Sequence, residues 1–141
     1  MRLSTNSEYG LMAVGYIASH AEDGHIVSDV IAEEYGIPAE YLYKTLNSLA
    51  KVGILESRRG PRGGFIMGKK PDQITLLEIF EAIDGPYIPQ HNIAEQTKHE
   101  RFGVNIERVC NKALAEGNKV LKGVTLADLI HGSKKPKINK G

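Results

Sequence analysis

Between Ser28 and Gly53 two short stretches with helically spaced apolar residues are separated by only three residues, Gly36, Ile37 and Pro38. Gly36 can adopt the left-handed backbone that ends a helix, Pro38 suits the first position of the next one, and Glu40 complements that helix's N-terminal dipole. So short a connection leaves few ways to arrange two helices, and its proportions are those of a helix-turn-helix. Ser28 and Asp29 are expected to cap and open the first helix, with Val30, Ile31 and Tyr35 turned inward. Leu42, Leu46, Leu49 and Ala50 form the buried stripe of the second, which Gly53 closes. Subtracting that stripe leaves Glu40, Tyr41, Tyr43, Lys44, Asn47 and Ser48 on the outer face. Such a mixture of donors, acceptors and aromatic edges suits the major groove of DNA, although an ordinary solvated helix face can look similar. Ser28 could also present helix N-terminal amides to a phosphate.

The next segment sharpens that choice. Ile54 to Arg58 and Phe65 to Met67 read as short strands joined by a loop containing Arg59, Gly60, Pro61, Arg62, Gly63 and Gly64, which is the outline of a wing. Arginine carries a planar, permanently charged fork for phosphate or base edges, and the glycines allow turns and close backbone approach. Arg58, Arg59 and Arg62 are expected to divide between minor-groove insertion and backbone neutralisation, with Gly63 allowing the approach. By itself the run is also compatible with a solvated hairpin. The formal net charge is only +1, yet from Lys51 to Lys70 six basic residues face one acid, Glu56, so a local basic patch survives a neutral total.

Upstream, Thr5 to Glu8 fits a capping box for a first helix reaching about Ala21. Downstream, Thr75 and Glu78 form a second capping box, with Ile74 and Ile79 at the positions of a hydrophobic staple. That fourth helix ends near Gly85 and Pro86. Residues 86–103 show no sustained period and read as an exposed loop holding His91 and His99. From about Val104 a longer helix carries Ile106, Cys110, Ala113, Gly117 and Val120 at steps of four and three, the spacing of a helix-pairing seam. Thr125 to Asp128 begins a short last helix, and residues 131–141 read as a disordered basic tail. The fold class is therefore mainly α with a small β-hairpin wing: a winged helix-turn-helix over residues 1–85, a possible sensory loop over 86–103, and a dimerisation helix with a short capping helix over 104–130.

At 141 residues a large multidomain enzyme is excluded. No stretch approaches the roughly 20 apolar residues of a membrane span, and the N-terminus lacks the pattern of a secretory signal, so a cytoplasmic location is expected. The one cysteine, Cys110, cannot form an internal disulfide, and at a seam position it reads first as a small buried hydrophobe. Cys110 with His91 or His99 would supply a nucleophile and a base, but no third orienting group is legible, and no enzyme is expected.

This order of elements, with Met1 to Thr5, Gly36 to Tyr41, Arg59-Gly60-Pro61, Gly63-Gly64-Phe65 and the pair Met67-Gly68, resembles the Rrf2 family of bacterial regulators, the group of IscR, NsrR and CymR. The resemblance covers Met1 to about Ile130. It implies a homodimeric winged-helix transcription factor on double-stranded DNA, with Arg2 joining the DNA-contacting set and Arg59 as the inserted wing arginine. Paired recognition helices would occupy a pseudo-palindromic operator, most simply as a repressor; a protein-interaction module built on the same fold is the alternative. Many members hold a two-iron cluster through three cysteines between the fourth helix and the start of the dimer helix. Here only Cys110 stands at what resembles the last of those positions, and no cofactor is assigned. Mixed ligation by Cys110, His91, His99 and Glu8 of a second chain is chemically open, as is redox or metal sensing through the same residues.

Overall fold

The computed structural model describes residues 3–60, 63–89 and 91–132. Arg2, Arg62 and the basic tail beyond residue 132 lie outside the described residues.

Helix α1 (Thr5–Ser19) crosses the centre of the molecule and buries Ser7, Gly10, Ala13, Val14 and Ile17. Its cap is Ser4, whose side chain accepts from the Ser7 amide, so the expected Thr5–Glu8 box is displaced by one residue. The displacement has a cause. Ser4 and Ser7 both donate to the Asp84 carboxylate, tying the start of α1 to the end of α4 (Leu76–Asp84). Glycine at position 10 lets α1 lie close to its neighbours, since a Cβ there would meet Ile83 Cδ1 at 2.4 Å and Thr45 Cγ2 at 2.9 Å. The helix stops at Ser19, short of the expected Ala21, and a 3₁₀ turn follows at Ala21–Asp23.

Helix α2 (Ser28–Tyr35) ends at Gly36, which has the left-handed φ of 66° that the turn requires. Helix α3 (Ala39–Lys51) begins after Pro38 and buries Leu42, Thr45, Leu46 and Leu49. Two expectations for α2 fail. Its cap is Val27, with no side-chain hydrogen bond, and Ser28 is the first helical residue and is buried. Val30 and Tyr35 lie outside the core at 47% and 43% exposure; in this eight-residue helix Ser28, Ile31 and Ala32 are the residues that face inward.

Strands β1 (Leu55–Arg58) and β2 (Gly64–Met67) pair antiparallel, Ser57 opposite Phe65 and Arg58 opposite Gly64. Residue 26 adds an isolated bridge on the other edge of β2: the Ile26 amide donates to the Phe65 carbonyl at 3.0 Å, and the Phe65 amide donates back at 2.8 Å.

Helix α4 starts with the expected capping box, Thr75 with Glu78, and both staple residues, Ile74 and Ile79, are fully buried. Residues 86–103 are not all loop. Helix α5 (Ile93–Gln96) forms behind an Asn92 cap, and α6 (Arg101–Lys122) begins three residues before the expected Val104. Between them Lys98 and His99 are left-handed, at φ 55° and 61°. The Thr97 hydroxyl bonds the carbonyls of Ile93 and Ala94, and Gly103 lies against it; a Cβ on Gly103 would fall 1.7 Å from Thr97 Oγ1.

Helix α7 (Leu126–His131) opens with a Thr125–Asp128 capping box and returns to the N-terminal half. Thr75 and Thr125 form a β-bridge: the Leu76 amide donates to the Val124 carbonyl and the Leu126 amide to the Ile74 carbonyl. Leu126 is fully buried in the same core as Val14, Leu46 and Ile79. Residues on both sides of position 85 therefore share one core.

Candidate nucleic-acid interface

Phe65 organises the surface that sequence reasoning assigned to DNA. It is 2% exposed; its backbone pairs with Ile26 on one side and Ser57 on the other, and its ring meets Tyr43 edge-on, with centroids 6.1 Å apart and planes at 64°. The start of α2, the recognition helix α3 and the wing thus share one anchor. Glycine at position 64 makes this possible: its φ is +128°, and a Cβ would meet the Ile26 carbonyl carbon at 2.5 Å.

Around that anchor Glu40, Tyr41, Tyr43 and Lys44 are exposed on α3, the two tyrosines at 58% and 56%. Asn47 and Ser48 are half-buried, and the Ser48 hydroxyl donates to the Lys44 carbonyl, which occupies its hydrogen. Arg58 and Arg59 are exposed at the end of β1, and neither forms an ion pair among the described residues, where Lys69 with Glu78 is the pair within reach. Two cationic forks with no internal carboxylate partner stand ready for an external anion. Gly63 has a different place from the expected contact: it is buried, and a Cβ on it would lie 2.4 Å from the Arg58 carbonyl, so its smallness shapes the wing. The buried Ser28 likewise sits beneath the surface at the start of α2.

The second candidate region divides. His91 and Cys110 line one groove of about 1050 Å³, which runs between residues 84–89 and 91–93 and the Glu107, Cys110, Asn111 and Leu114 positions of α6. His99 and Glu8 are exposed and do not line it. Cys110 is itself exposed in the single chain. The reason is that α6 carries its apolar stripe outward. Among its described residues only Gly103 is buried, while Phe102, Ile106, Val109 and Val120 are 55%, 44%, 63% and 44% exposed. Phe102 and Val109 were missed in the sequence because the seam was counted from a later helix start and along a single line of residues.

A family model described as "Iron-dependent Transcriptional regulator", Rrf2, matches residues 3–132. The chain belongs to the Rrf2 family. It is 31% identical to an HTH-type transcriptional regulator of Aquifex aeolicus (strain VF5) over 134 residues, covering 93% of this chain and 92% of the relative. Against IscR of Aliivibrio salmonicida it is 36% identical over 84 residues, which is 60% of this chain but half of that protein. Among solved structures, CymR of B. subtilis superposes with a TM-score of 0.72 at 26% identity, covering 95% of this chain and 99% of CymR. T. potens IscR gives 0.71, also at 26% identity, covering 100% and 94%. This Rrf2 protein is thus a helix-turn-helix, DNA-binding transcriptional regulator, and not an enzyme. No described helix is long and apolar enough to cross a membrane.

The iron in the family description meets a poor donor set here. An iron–sulfur cluster in such proteins rests mainly on thiolates, and this chain has one cysteine. Among the described residues no three His, Cys, Asp or Glu side chains are placed to hold a metal ion. The residues of one chain do not fit the group.

Proposed function

We propose that this Rrf2 protein is a homodimeric, sequence-specific repressor. Its two α3 helices would enter successive major grooves of a pseudo-palindromic operator, about 34 Å apart, with Arg58 and Arg59 of each wing on the flanking minor groove and backbone. The observation that carries this reading is the shared Phe65 anchor: it holds an exposed α3 face and two unpaired arginines in one fixed unit. Residues 1–85 carry the DNA-reading elements, 86–103 a sensory segment, and 104–130 the pairing helix with its cap. The outward apolar stripe of α6 supports pairing with a second chain, because exposed side chains at steps of three and four gain most by burial against a like helix.

Fluorescence anisotropy on an operator selected from random duplexes, and on a scrambled duplex, tests the reading. Arg59→Ala is expected to weaken operator binding by roughly 1–3 kcal/mol and to lower the salt slope by about one. Unchanged affinity would remove Arg59 from the interface, and equal affinity for both duplexes would remove sequence specificity.

A sensing role for Cys110 has one observation in its favour: the thiol is exposed and shares its groove with His91. Thiol blocking with a small alkylating agent then shifts operator affinity; an unchanged value leaves Cys110 as a surface residue.

A further inference from the structure

We propose that the groove between residues 84–89 and 91–93 and α6 binds a small organic cation, a primary ammonium carried on a flat apolar group. Three features select this chemistry. The first is size: about 1050 Å³ matches the upper end of small-molecule sites and far exceeds what a bare metal ion fills. The second is the wall, where Tyr87, Ile88 and Leu114 give apolar and aromatic contact for an organic body. The third is charge. The described lining residues include the carboxylates of Asp84 and Glu107 and neither lysine nor arginine.

Each carboxylate keeps one oxygen without a partner among the described residues: Asp84 receives Ser4 and Ser7 on Oδ2, and Glu107 receives the Ala94 amide on Oε1 at 3.5 Å. The C-terminal end of α4 also reaches the groove at Asp84 and Gly85, where a helix dipole places partial negative charge. An ammonium group satisfies this field with directed N–H donors, and the Tyr87 ring can take its positive face. An anion is repelled, and a metal ion lacks ligands, since no three donors converge among the described residues. This inference goes beyond the repressor reading: it assigns the groove an effector class.

Isothermal titration calorimetry on the full chain in metal-free buffer, without DNA, tests it with three matched probes: 2-phenylethylammonium, neutral 2-phenylethanol and anionic phenylacetate. The ammonium is expected to saturate, with the alcohol roughly tenfold or more weaker and phenylacetate giving no saturable heat. Glu107→Gln weakens the ammonium roughly tenfold, with circular dichroism checking the fold. Tyr87→Leu, on an exposed segment, weakens it about threefold while sparing the alcohol. The proposal is overturned if the ammonium gives no saturable binding, if the alcohol or phenylacetate binds as tightly, if a folded Glu107→Gln binds normally, or if the isolated protein carries one bound iron per chain. Operator anisotropy on the same sample separately reports the fate of the DNA reading.

Discussion

The wing and α6 use their apolar residues in opposite ways. At the wing, four-residue strands hold Leu55 and Phe65 at 1% and 2% exposure, and every neighbouring element converges on them. Along α6, twenty-two residues bury little beyond Gly103, and Val109 stands 63% exposed. The first region is complete within one chain. The second is a long helix whose stability in isolation would rest on propensity alone, and surface helices ordinarily gain most of theirs by packing an amphipathic face. The contrast separates a wing packed within one chain from a long helix whose apolar stripe the described residues leave uncovered.

The largest effect is expected where this contrast is weakest, at Leu126, which follows α6 yet lies in the N-terminal core. Leu126→Ala should cost about 3 kcal/mol in urea-induced unfolding. A cost below about 1 kcal/mol would mean that α7 is an accessory to the core. Next, Ile106→Glu should leave the monomer folded but abolish pairing in analytical ultracentrifugation. Operator affinity should then fall roughly a hundredfold, because the two half-sites are no longer bound by one particle; a dimer that survives would move the pairing face off the stripe. Tyr43→Leu should then lower operator affinity about threefold by removing the aromatic edge against Phe65, an interaction worth about 0.5–1.5 kcal/mol. Tyr43→Phe keeps that edge, so wild-type affinity for it alongside a defect in Tyr43→Leu identifies an anchoring role, and equal losses in both point to the hydroxyl at the DNA. The smallest effect belongs to the Thr125 cap: Thr125→Ala should lower stability by about 0.5 kcal/mol in the same urea assay.

Much of the first region was legible because its signals are local. Gly36 and Pro38 mark the turn, Thr75 and Glu78 mark a cap, and the α3 stripe repeats at helical spacing; each needs only a few neighbouring residues to be read. Errors arose where distant contacts decided. Ser4 displaced Thr5 as the cap because Asp84, far along the chain, holds Ser4 and Ser7 together. Val30 and Tyr35 looked like core from their apolarity, but eight residues of helix offered the core only one narrow stripe. Gly63 and Gly64 were read as allowing turns and close approach, and the backbone that each lies against is the chain's own. The groove was invisible for a related reason: its walls come from the end of α4, the α5 segment and the middle of α6, and no spacing rule joins them. Lys98 and His99 add to this, since two left-handed residues that are not glycine carry no turn signature.

The β-bridge between Thr75 and Thr125 also bears on the birth of the protein at the ribosome. Leu126 cannot fill its place until everything before it, the whole of α6 included, has been translated and has left the exit tunnel. The early-made part of the chain therefore waits, with Ile74 and Leu76 lacking their final neighbours, until the pairing helix is already outside. A nascent chain stalled before residue 126 would hold the helix-turn-helix on an unfinished interior, so that the N-terminal core is completed only after α6 has been made.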